Sequence, residues 1–243
     1  MKIVIGVVKM SVWACSDLHG NKNFLKAIKE KIGPNDTVYF LGDACDRGPD
    51  GWEMIKEILA DERFIYLKGN HEDMLIKAHN EYFDGYDNDY VYLCVRNGGQ
   101  PTLSAMLAEE NETRERVIAE LTLLPLTAEY TNINGELIHM SHAGFSMGVD
   151  EPSSHDWVWD RTHFLDTNWF GPDNAIVVHG HTPIPYLIEE ISFYYEGLVE
   201  EEIEPGAFWY CGGHKIDIDC GTHFTNTTVL LNLDTFDEEI FSL

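Results

Sequence analysis

The sequence predicts an α/β fold, and two observations support that prediction. Over roughly the first 80 residues, short apolar segments typical of buried strands alternate with segments whose apolar residues recur at helical spacing. Strands that alternate with helices in this way pair in parallel, because a parallel connection must cross over the sheet. Of the 243 residues, 44% are hydrophobic, which is enough to bury a sizeable core, and we expect a single domain over residues 1–243.

The predicted elements begin in the order β-α-β-α-β-α. The first strand, SVWACS, precedes a helix in which Phe24, Leu25 and Ile28 share one face, and the helix ends at GPND (33–36). Two further strands, TVYFLGD and RFIYLKGN, are each followed by a helical pattern. The predicted bounds are 11–16, 37–43 and 63–70 for the strands and 21–32, 52–61 and 71–80 for the helices.

The rest of the chain is predicted to be helical first and then rich in strands. Residues 81–126 have a helical pattern that breaks at NGGQP (97–101), where glycine and proline disfavour a continuous helix. Residues 1–9 are interpreted as an upstream extension or an extra edge strand. Strands return from about residue 127, at 127–133, 136–142, 175–181, 215–220 and 227–234.

One segment, at about 186–214, differs in composition from the rest of the chain. It contains seven glutamates, no lysine or arginine, and the aromatic clusters FYY and FWY. We interpret it as an acidic, aromatic insertion in the single domain. It is either a hairpin-like extension that caps the site or mediates self-association, or a solvated elaboration of the surface.

The net charge and the cysteines limit the class of protein. With 42 acidic and 16 basic residues the formal charge is −26, which argues against a broad basic surface for nucleic acid or an acidic membrane. No apolar run reaches the length of about 18 residues that a membrane span needs. The first ten residues do not resemble a secretion signal, and the five cysteines include no C-x-x-C pair, so we expect a reduced, cytoplasmic protein.

Polar side chains with metal-binding groups follow several predicted strands. The carboxyl ends of neighbouring strands meet at one edge of an α/β sheet, so we expect these side chains to converge. Each one alone has an ordinary structural explanation, such as a helix cap or a buried histidine. Their joint occurrence at strand ends argues against those explanations. The residues are Asp17, His19, Asp43, Asn70, His71, His142 and His181.

The chemistry of this set indicates which ions it would bind. Mixed nitrogen and oxygen ligands suit Mn²⁺, Fe or Zn²⁺ better than Ca²⁺ or Mg²⁺, and the set has no thiolates of the kind that structural zinc sites use. So many donors around one point exceed what a single tetrahedral ion can use. Two divalent ions that share a bridging carboxylate would use them.

The order of these segments resembles the phosphoprotein phosphatase family of metallophosphoesterases, and most closely its compact bacterial and phage serine/threonine phosphatases. The resemblance covers about residues 12–183, with a weaker similarity at Asp219–Phe224, and it implies a calcineurin-like αββα sandwich with mixed sheets. One departure is Ser16, where the family usually has glycine. The segments are D-x-H-G (17–20), G-D-x-x-D-R-G (42–48), G-N-H-E (69–72), H-A-G (142–144) and G-H-T-P (180–183).

The resemblance also implies a role for each motif residue. Two divalent ions, with Mn²⁺ first and Fe or Zn²⁺ as alternatives, would activate a water for attack on a phosphate ester. The implied ligands are Asp17 and His19 for one ion, Asp43 as the bridge, and Asn70, His142 and His181 for the other. The implied catalytic groups are His71 as general acid, Asp46 as its partner, and Arg47 and Arg161 as phosphate clamps.

The sequence excludes one other phosphatase chemistry and disfavours a second. A thiolate phosphatase needs an arginine six positions after its cysteine, and no cysteine of this chain has one. No G-x-x-x-x-G-K-[ST] loop is present either, which disfavours a P-loop nucleotidase. The residues six positions after the five cysteines are Asn21, Gly51, Gln100, Asp217 and Asn226.

Three functions remain after these exclusions, and the favoured one is a phosphomonoesterase acting on a phosphoprotein or a small phosphate ester. The first alternative is a dinucleoside polyphosphate hydrolase of the same superfamily. Those relatives tend to lack the acid found here as Asp46, and they tend to have G-N-H-D in place of G-N-H-E. The second alternative is a binding scaffold without turnover, which lost ligands would indicate. The segment RNGGQPT (96–102) is either a substrate-side loop or a plain helix-breaking turn.

Overall fold

The first of two mixed sheets contains the three strands predicted at the N-terminal end. The computed structural model describes residues 10–85, 88–144, 153–165, 169, 171–186, 188–189 and 204–243. The strand order is β10-β9-β1-β2-β3, in which β1, β2 and β3 run parallel and β9 and β10 are antiparallel additions. The strands are β1 (Val12–Cys15), β2 (Thr37–Phe40), β3 (Phe64–Tyr66), β9 (Thr227–Asn232) and β10 (Glu238–Ser242).

The second sheet has the order β4-β5-β6-β8-β7, with β5, β6 and β8 parallel in its centre and an antiparallel strand at each edge. Each sheet thus has one edge at which the carboxyl ends of three parallel strands lie side by side. The strands are β4 (Thr127–Thr131), β5 (Leu137–Ser141), β6 (Ala175–His179), β7 (Phe208–Tyr210) and β8 (Lys215–Asp217).

The longer helices belong to the first two-thirds of the chain. Within the described residues they are α1 (Lys22–Lys31), α2 (Gly51–Leu59), α3 (Asn70–Asp84), α4 (Asp89–Cys94), α5 (Gln100–Ala108) and α6 (Asn111–Thr122). The single-turn helices α7 (Asp156–Trp159), α8 (Thr162–Leu165) and α9 (Thr222–Thr225) follow. The predicted break lies between α4 and α5, where Asn97 and Gly98 have non-helical backbone angles. No helix in the described part of the chain is both long and apolar enough to cross a membrane.

Side chains on the two faces of each strand enter different cores. In β1, Trp13 and Cys15 pack with α-helical residues such as Phe24, whereas Ala14 packs against residues of the second sheet such as Ile176. The two sheets therefore pack face to face, with α1–α6 outside the first. On the outer face of the second sheet, the ring of His163 from α8 lies 5.1 Å from that of His179. The predicted αββα arrangement with mixed sheets is confirmed.

Several predicted strands end earlier than expected, and two were not predicted. The strand predicted at 37–43 stops at Phe40, because Gly42 and Asp43 have φ of 97° and 60° and turn the chain. The short β7 and the acidic β10 lack a clear strand pattern. Residues 1–9, and residues 187 and 190–203 of the acidic, aromatic insertion, lie outside the described residues. The described remainder of that insertion includes β7, which pairs antiparallel with β8.

Candidate metal centre

The loops after β1 and β2 remain paired beyond the ends of their strands. The amide of Asp17 donates to the carbonyl of Gly42 at 3.1 Å, and the amide of His19 donates to the carbonyl of Asp43 at 3.0 Å. This pairing continues at Gly20, whose amide donates to Ala44. The side chains of Asp17, His19 and Asp43 are therefore placed at one point by backbone hydrogen bonds.

The third strand end approaches this point through two glycines. A Cβ atom on Gly42 would lie 2.5 Å from the amide nitrogen of Gly69, and a Cβ on Gly69 would lie 2.2 Å from Asp43 Oδ1. Only glycine permits so close an approach. At the start of α3, the amide of His71 donates to Asp43 Oδ1 at 3.0 Å. Asn70 and His71 thus begin their helix directly against Asp43.

Left-handed backbone conformations are concentrated in these loops. Nine described residues other than glycine have positive φ, and six of them are predicted site residues. A positive φ is unfavourable for a residue with a side chain, and such conformations gather at functional sites because the surrounding structure enforces them. The six are Asp17, His19, Asp43, Asp46, Arg47 and His181.

The second sheet contributes two histidines to the same point. His142 Nδ1 donates to the carbonyl of Leu41 at 2.7 Å, which leaves Nε2 facing the site. His142 Nε2 and His181 Nδ1 lie 2.8 Å and 2.9 Å from one oxygen, Oδ1 of Asn70. The amide of His181 also donates to Asp17 Oδ2 at 3.1 Å, and this bond joins the two sheets at the site.

Asp43 has the geometry of a bridging ligand. Its ligand atoms fall within 4.8 Å of those of Asp17 and His142 in one group, and of His19 and His71 in another. Its two carboxylate oxygens face different sides, with Oδ1 3.5 Å from His142 Nε2 and Oδ2 3.8 Å from His19 Nε2. All of these side chains are buried. One carboxylate therefore serves two adjacent donor groups.

The electrostatics of the site fit bound divalent cations. Burial, followed by the charges of Asp17 and Glu72, raises the pKa of Asp43 well above its ordinary value. Asp17 Oδ1 and His181 Nε2 are buried and have no hydrogen-bond partner among the described residues. Buried carboxylates and an orphaned ring nitrogen are costly without a positive partner. A pair of divalent ions would supply one.

The histidines have the protonation state that metal binding requires. Burial lowers the pKa of His19, His142 and His181 below the ordinary value, so the rings are neutral near pH 7. His19 Nδ1 donates to the carbonyl of Cys45 at 3.0 Å, and this fixes Nε2 toward Asp17 and Asp43. A backbone acceptor on one ring nitrogen is the usual way to orient the other toward a metal.

His71 and Asp46 form a buried pair beside the donor groups. His71 Nδ1 lies 2.7 Å from Asp46 Oδ2, and both side chains are almost fully buried. The amide of Asp46 donates to Thr102 Oγ1 at 3.0 Å. With Nδ1 held by Asp46, His71 directs Nε2 toward Asp43 Oδ2, which lies 3.7 Å away.

Arg47 is exposed and is positioned by the NGG break between α4 and α5. Its amide donates to the carbonyl of Gly98 at 2.8 Å. Its Nη2 lies 3.4 Å from His71 Nε2, and its Nη1 donates to His223 Nδ1 at 3.0 Å. The segment 96–102 therefore lies against the site and supports the loop that carries Arg47.

Arg161 approaches from the opposite sheet. It follows α7, and the amide of Ala143 donates to the carbonyl of Trp157 at 3.0 Å, which holds this segment against the H-A-G loop. Burial and the charge of His142 lower the pKa of His181, and the charge of Arg161 lowers it further. The structure thus brings the predicted metal ligands into contact with one another and places them beside His71, Asp46 and Arg47. Arg161 lies close enough for its charge to lower the pKa of His181.

Glu72 supports the candidate site, although the sequence analysis assigned it no role. Its carboxylate accepts hydrogen bonds from the amides of Asp43, Ala44 and Gly69 and from the hydroxyl of Tyr66, at 2.8 to 2.9 Å. It locks the second strand end to the start of α3. The sequence feature that could have revealed this role is its position as the third residue of the helix, where a glutamate caps the N-terminus.

His223 is a second residue that sequence reasoning missed. Burial and the charge of Arg47 lower its pKa to about 4, so the neutral ring accepts the hydrogen bond from Arg47. Its ring centroid lies 5.5 Å from that of His19. The sequence feature that could have revealed it is its position in the segment Asp219–Phe224, where the resemblance to the family continues weakly.

Two further residues lie near the predicted metal ligands, and neither is itself a predicted ligand. The hydroxyl of Ser16 donates to Asp17 Oδ2, so the residue that replaces the family glycine orients a predicted ligand. Burial, followed by the charges of Asp46 and Glu72, raises the pKa of Cys45 well above its ordinary value. Cys45 is therefore held as a protonated thiol.

The site's geometry agrees with comparisons to known proteins. Serine/threonine-protein phosphatase 2 of Escherichia coli (strain K12) is 27% identical over 126 residues, covering 51% of this chain and 54% of that protein, so this match spans about half of the relative's length. The asymmetrical bis(5'-nucleosyl)-tetraphosphatase PrpE of Oceanobacillus iheyensis is 23% identical over 246 residues, covering 89% of this chain and 86% of that protein.

The fold and the family are shown by two further matches. A metallophosphoesterase structure from Sphaerobacter thermophilus aligns with a TM-score of 0.56 at 16% identity, covering 96% of this chain and 88% of that one. The model of the calcineurin-like phosphoesterase family matches residues 10–216, which include all of the signature segments. The chain therefore belongs to the calcineurin-like phosphoesterases, hydrolases that act on phosphoric ester bonds.

Proposed function

We propose that the protein is a metal-dependent phosphomonoesterase, and specifically a serine/threonine protein phosphatase of the bacterial type. The observation that carries the proposal is the buried His71–Asp46 pair, whose nitrogen and oxygen lie 2.7 Å apart beside the exposed Arg47. A leaving alkoxide is a strong base, so its departure requires a proton donor at this position. The donor groups around Asp43 lie immediately behind the pair.

Six residues would hold the two divalent ions, and Mn²⁺ is the ion that we propose first. When bound, the ions supply a nucleophilic water of lowered pKa and offset the charge of the phosphate oxygens. Asp43 would serve both ions, since its Oδ2 faces His19 and its Oδ1 faces His142. The proposed set is Asp17 and His19 for one ion, Asp43 for both, and Asn70, His142 and His181 for the other.

The remaining residues of the site bind phosphate and move a proton. Arg47 and Arg161 approach from opposite sheets, and their guanidinium groups would hydrogen-bond the phosphate oxygens whose charge grows in the transition state. His71 would give a proton from Nε2 to the leaving oxygen, while Asp46 holds Nδ1 and fixes the orientation of the ring. Cys45, which lies in the same loop as Asp46 and Arg47, supplies no thiolate nucleophile, because burial raises the pKa of its thiol.

A dinucleoside polyphosphate hydrolase is the second candidate, and one specific observation favours it. The asymmetrical bis(5'-nucleosyl)-tetraphosphatase aligns with most of this chain, whereas the match to the protein phosphatase spans about half of it. Asp46 favours the phosphomonoesterase, because a nucleotide leaving group is a weaker base than an alkoxide and needs a proton donor less. The two substrates therefore make different demands on His71 and Asp46.

The test compares phosphate release from phosphoserine and phosphothreonine peptides with hydrolysis of a dinucleoside tetraphosphate, with and without Mn²⁺. We expect Mn²⁺-dependent release with a higher kcat/KM for the phosphopeptides, and loss of that release in Asp46→Asn. A matched control is Asp50→Asn, which changes an acid in the same loop that makes no side-chain cap. A higher kcat/KM for the dinucleotide would overturn the phosphomonoesterase, and no metal-dependent turnover of either substrate would indicate a binding scaffold.

We further propose that residues 1–243 form one domain with an insertion at about 186–214, and that the protein works in the cytoplasm. The family match runs through the start of the insertion and on to residue 216, which supports an insertion within one domain. The cysteines at 15, 45, 94, 211 and 220 are thiols, which suits a reducing compartment. Limited proteolysis that separates two stable folded fragments would contradict the single domain.

A further inference from the structure

A row of aromatic rings leads from the metal centre to the protein surface. The ring of His223 lies 5.5 Å from that of His19, the ring of Phe224 lies 4.7 Å from that of His223, and the ring of Tyr186 lies 5.6 Å from that of Phe224. Centroid separations of about 4.5 to 7 Å are those of interacting aromatic pairs. His223, Phe224 and Tyr186 are hereafter called the aromatic row.

The outer rings of the aromatic row are exposed although they adjoin a buried polar site. Phe224 is 42% exposed and Tyr186 is 52% exposed. A Cβ atom on Gly221 would lie 2.4 Å from Phe224 Cζ, so the phenylalanine ring lies directly over that glycine and is held there. Tyr186 follows the G-H-T-P loop, and its amide donates to the carbonyl of Pro183 at 2.7 Å. Both rings thus have defined positions and are partly exposed.

The aromatic row begins where a leaving group would depart. One guanidinium group contacts both histidines, because Arg47 Nη2 lies 3.4 Å from His71 Nε2 and Arg47 Nη1 lies 3.0 Å from His223 Nδ1. A phosphate held by Arg47 and a leaving oxygen protonated by His71 would place the rest of the substrate beside His223. From His223 the path to solvent runs along Phe224 and Tyr186.

We propose that His223, Phe224 and Tyr186 form a subsite for the planar aromatic leaving group of an aryl phosphate, and specifically for the phosphotyrosine side chain of a peptide. This inference rests on the proposed phosphomonoesterase function and extends its substrates from phosphoserine and phosphothreonine to phosphotyrosine. A ring attached to the ester oxygen would reach the aromatic row and stack or meet it edge to face. The short aliphatic side chain of phosphoserine offers no ring to those faces.

The test measures kcat/KM for two peptides of one sequence that differ only in phosphotyrosine or phosphoserine. The variants are Tyr186→Ala and Phe224→Leu, of which the second keeps apolar bulk over Gly221. We expect the ratio of phosphotyrosine to phosphoserine turnover to fall by about 3- to 10-fold in each variant relative to wild type. Comparison with wild type removes the intrinsic difference between the two leaving groups.

Tyr82→Ala is a matched control. Tyr82 is also 52% exposed and also has one phenylalanine neighbour, with ring centroids 5.1 Å apart. It lies in the last turn of α3, eleven residues after His71, or about 16 Å along the helix. We expect an unchanged ratio in this variant. The proposal would be overturned if the ratio of phosphotyrosine to phosphoserine turnover fell equally in Tyr82→Ala, or if it were unchanged in Tyr186→Ala and Phe224→Leu.

A binding measurement separates failure of the subsite from failure of the proposed function. Calorimetry with Mn²⁺ present gives the Kd of phenylphosphonate and of propylphosphonate, neither of which requires turnover. We expect wild type to prefer phenylphosphonate and both variants of the aromatic row to lose that preference by about 3- to 10-fold. If wild type prefers phenylphosphonate but turns over no phosphate ester, the phosphomonoesterase is refuted and the subsite is supported. Equal Kd values of wild type for the two phosphonates would overturn the subsite.

Discussion

The two sheets build their parts of the site in different ways. The N-terminal half of the site comprises the loops at 16–20, 42–48 and 69–72. Its polar groups form hydrogen bonds with one another, as Glu72 does with three amides and the Tyr66 hydroxyl. The C-terminal half comprises the ends and following loops of β5, β6 and β8. Among the described residues of that half, the buried atoms without a hydrogen-bond partner are Ser141 Oγ, His181 Nε2, Thr182 Oγ1, Asp217 Oδ2, Asp219 Oδ2 and Thr222 Oγ1.

This difference indicates which half of the site depends more on bound ions. Each buried polar atom without a partner costs about 1–3 kcal/mol relative to a satisfied one, and ions, water or phosphate can remove that cost. In the described residues of the N-terminal half, only Asp17 Oδ1 and Asp46 Oδ1 are in this position. The N-terminal half therefore satisfies more of its buried polar groups within the protein, and we infer that the C-terminal half depends more on bound ligands.

The largest effect is expected at Asp43, where the two donor groups meet. Asp43→Asn retains the acceptor for the His71 amide but removes the negative charge that both groups share. We expect the affinity for divalent ions to fall by more than about 100-fold and the purified variant to retain neither ion. Metal analysis checks this, with Asp73→Asn as a control because Asp73 pairs with the surface Lys77 and belongs to neither donor group. Retention of two ions by Asp43→Asn would refute the bridging role.

Removal of metal should affect the two halves unequally. At a free Mn²⁺ concentration of about 100 times its Kd, binding should stabilise the folded protein by about 2.7 kcal/mol relative to the chelated protein. Hydrogen exchange should show larger protection by Mn²⁺ at 142–144 and 180–183 than at 42–48. Equal protection of the three loops would show that the halves do not differ in the way described.

The N-terminal half should instead depend on Glu72. Glu72→Gln leaves the size unchanged but turns part of the acceptor for three amides into a donor, so buried amides lose their partner. We expect the metal-free protein to lose about 2 kcal/mol of unfolding free energy, measured by urea denaturation. Glu120→Gln is the control, since Glu120 pairs with Arg116 on the surface. A loss no larger than that of the control would contradict the role given to Glu72.

The smallest effect is expected for a carboxylate outside both halves. Hydrogen bonds from Arg63 lower the pKa of Asp61 to about 2, so its charged form is favoured in the folded state. Its contribution is therefore present above the ordinary pKa of about 4 and is lost as the pH falls through about 2. Because the pair lies at the surface, Asp61→Asn should cost less than about 1 kcal/mol at pH 7 and less still at pH 3. An equal cost in urea denaturation at both pH values would contradict this assignment.

Much of the site follows from the sequence because its residues stand at strand ends. Asp17, Asp43 and Asn70 each follow a strand of the parallel set, and parallel strands end at one edge, so convergence is a consequence of topology. The left-handed φ of Asp43 could not be predicted in this way, since that conformation is imposed by the pairing with the neighbouring loop.

The residues that sequence reasoning missed depend on contacts between distant parts of the chain. Glu72 was visible as a helix-capping glutamate, but the amides of Asp43 and Ala44 reach it only in the folded protein. His223 meets Arg47 across 176 positions of sequence. The strand β10 has two glutamates and lies at an edge, so its pattern resembles a loop. Such contacts carry no local signal.

The measurement that tests the account most directly is the dependence of turnover on the leaving group in His71→Asn, together with the metal content of that variant. We expect two ions to remain bound, turnover of alkyl phosphates to fall by about 10²- to 10⁴-fold, and turnover of nitrophenyl phosphate to fall much less. This result would identify His71 as the proton donor. Loss of an ion, or equal loss of turnover for both leaving groups, would contradict that role and would make His71 a ligand of the His19–Asp43 group.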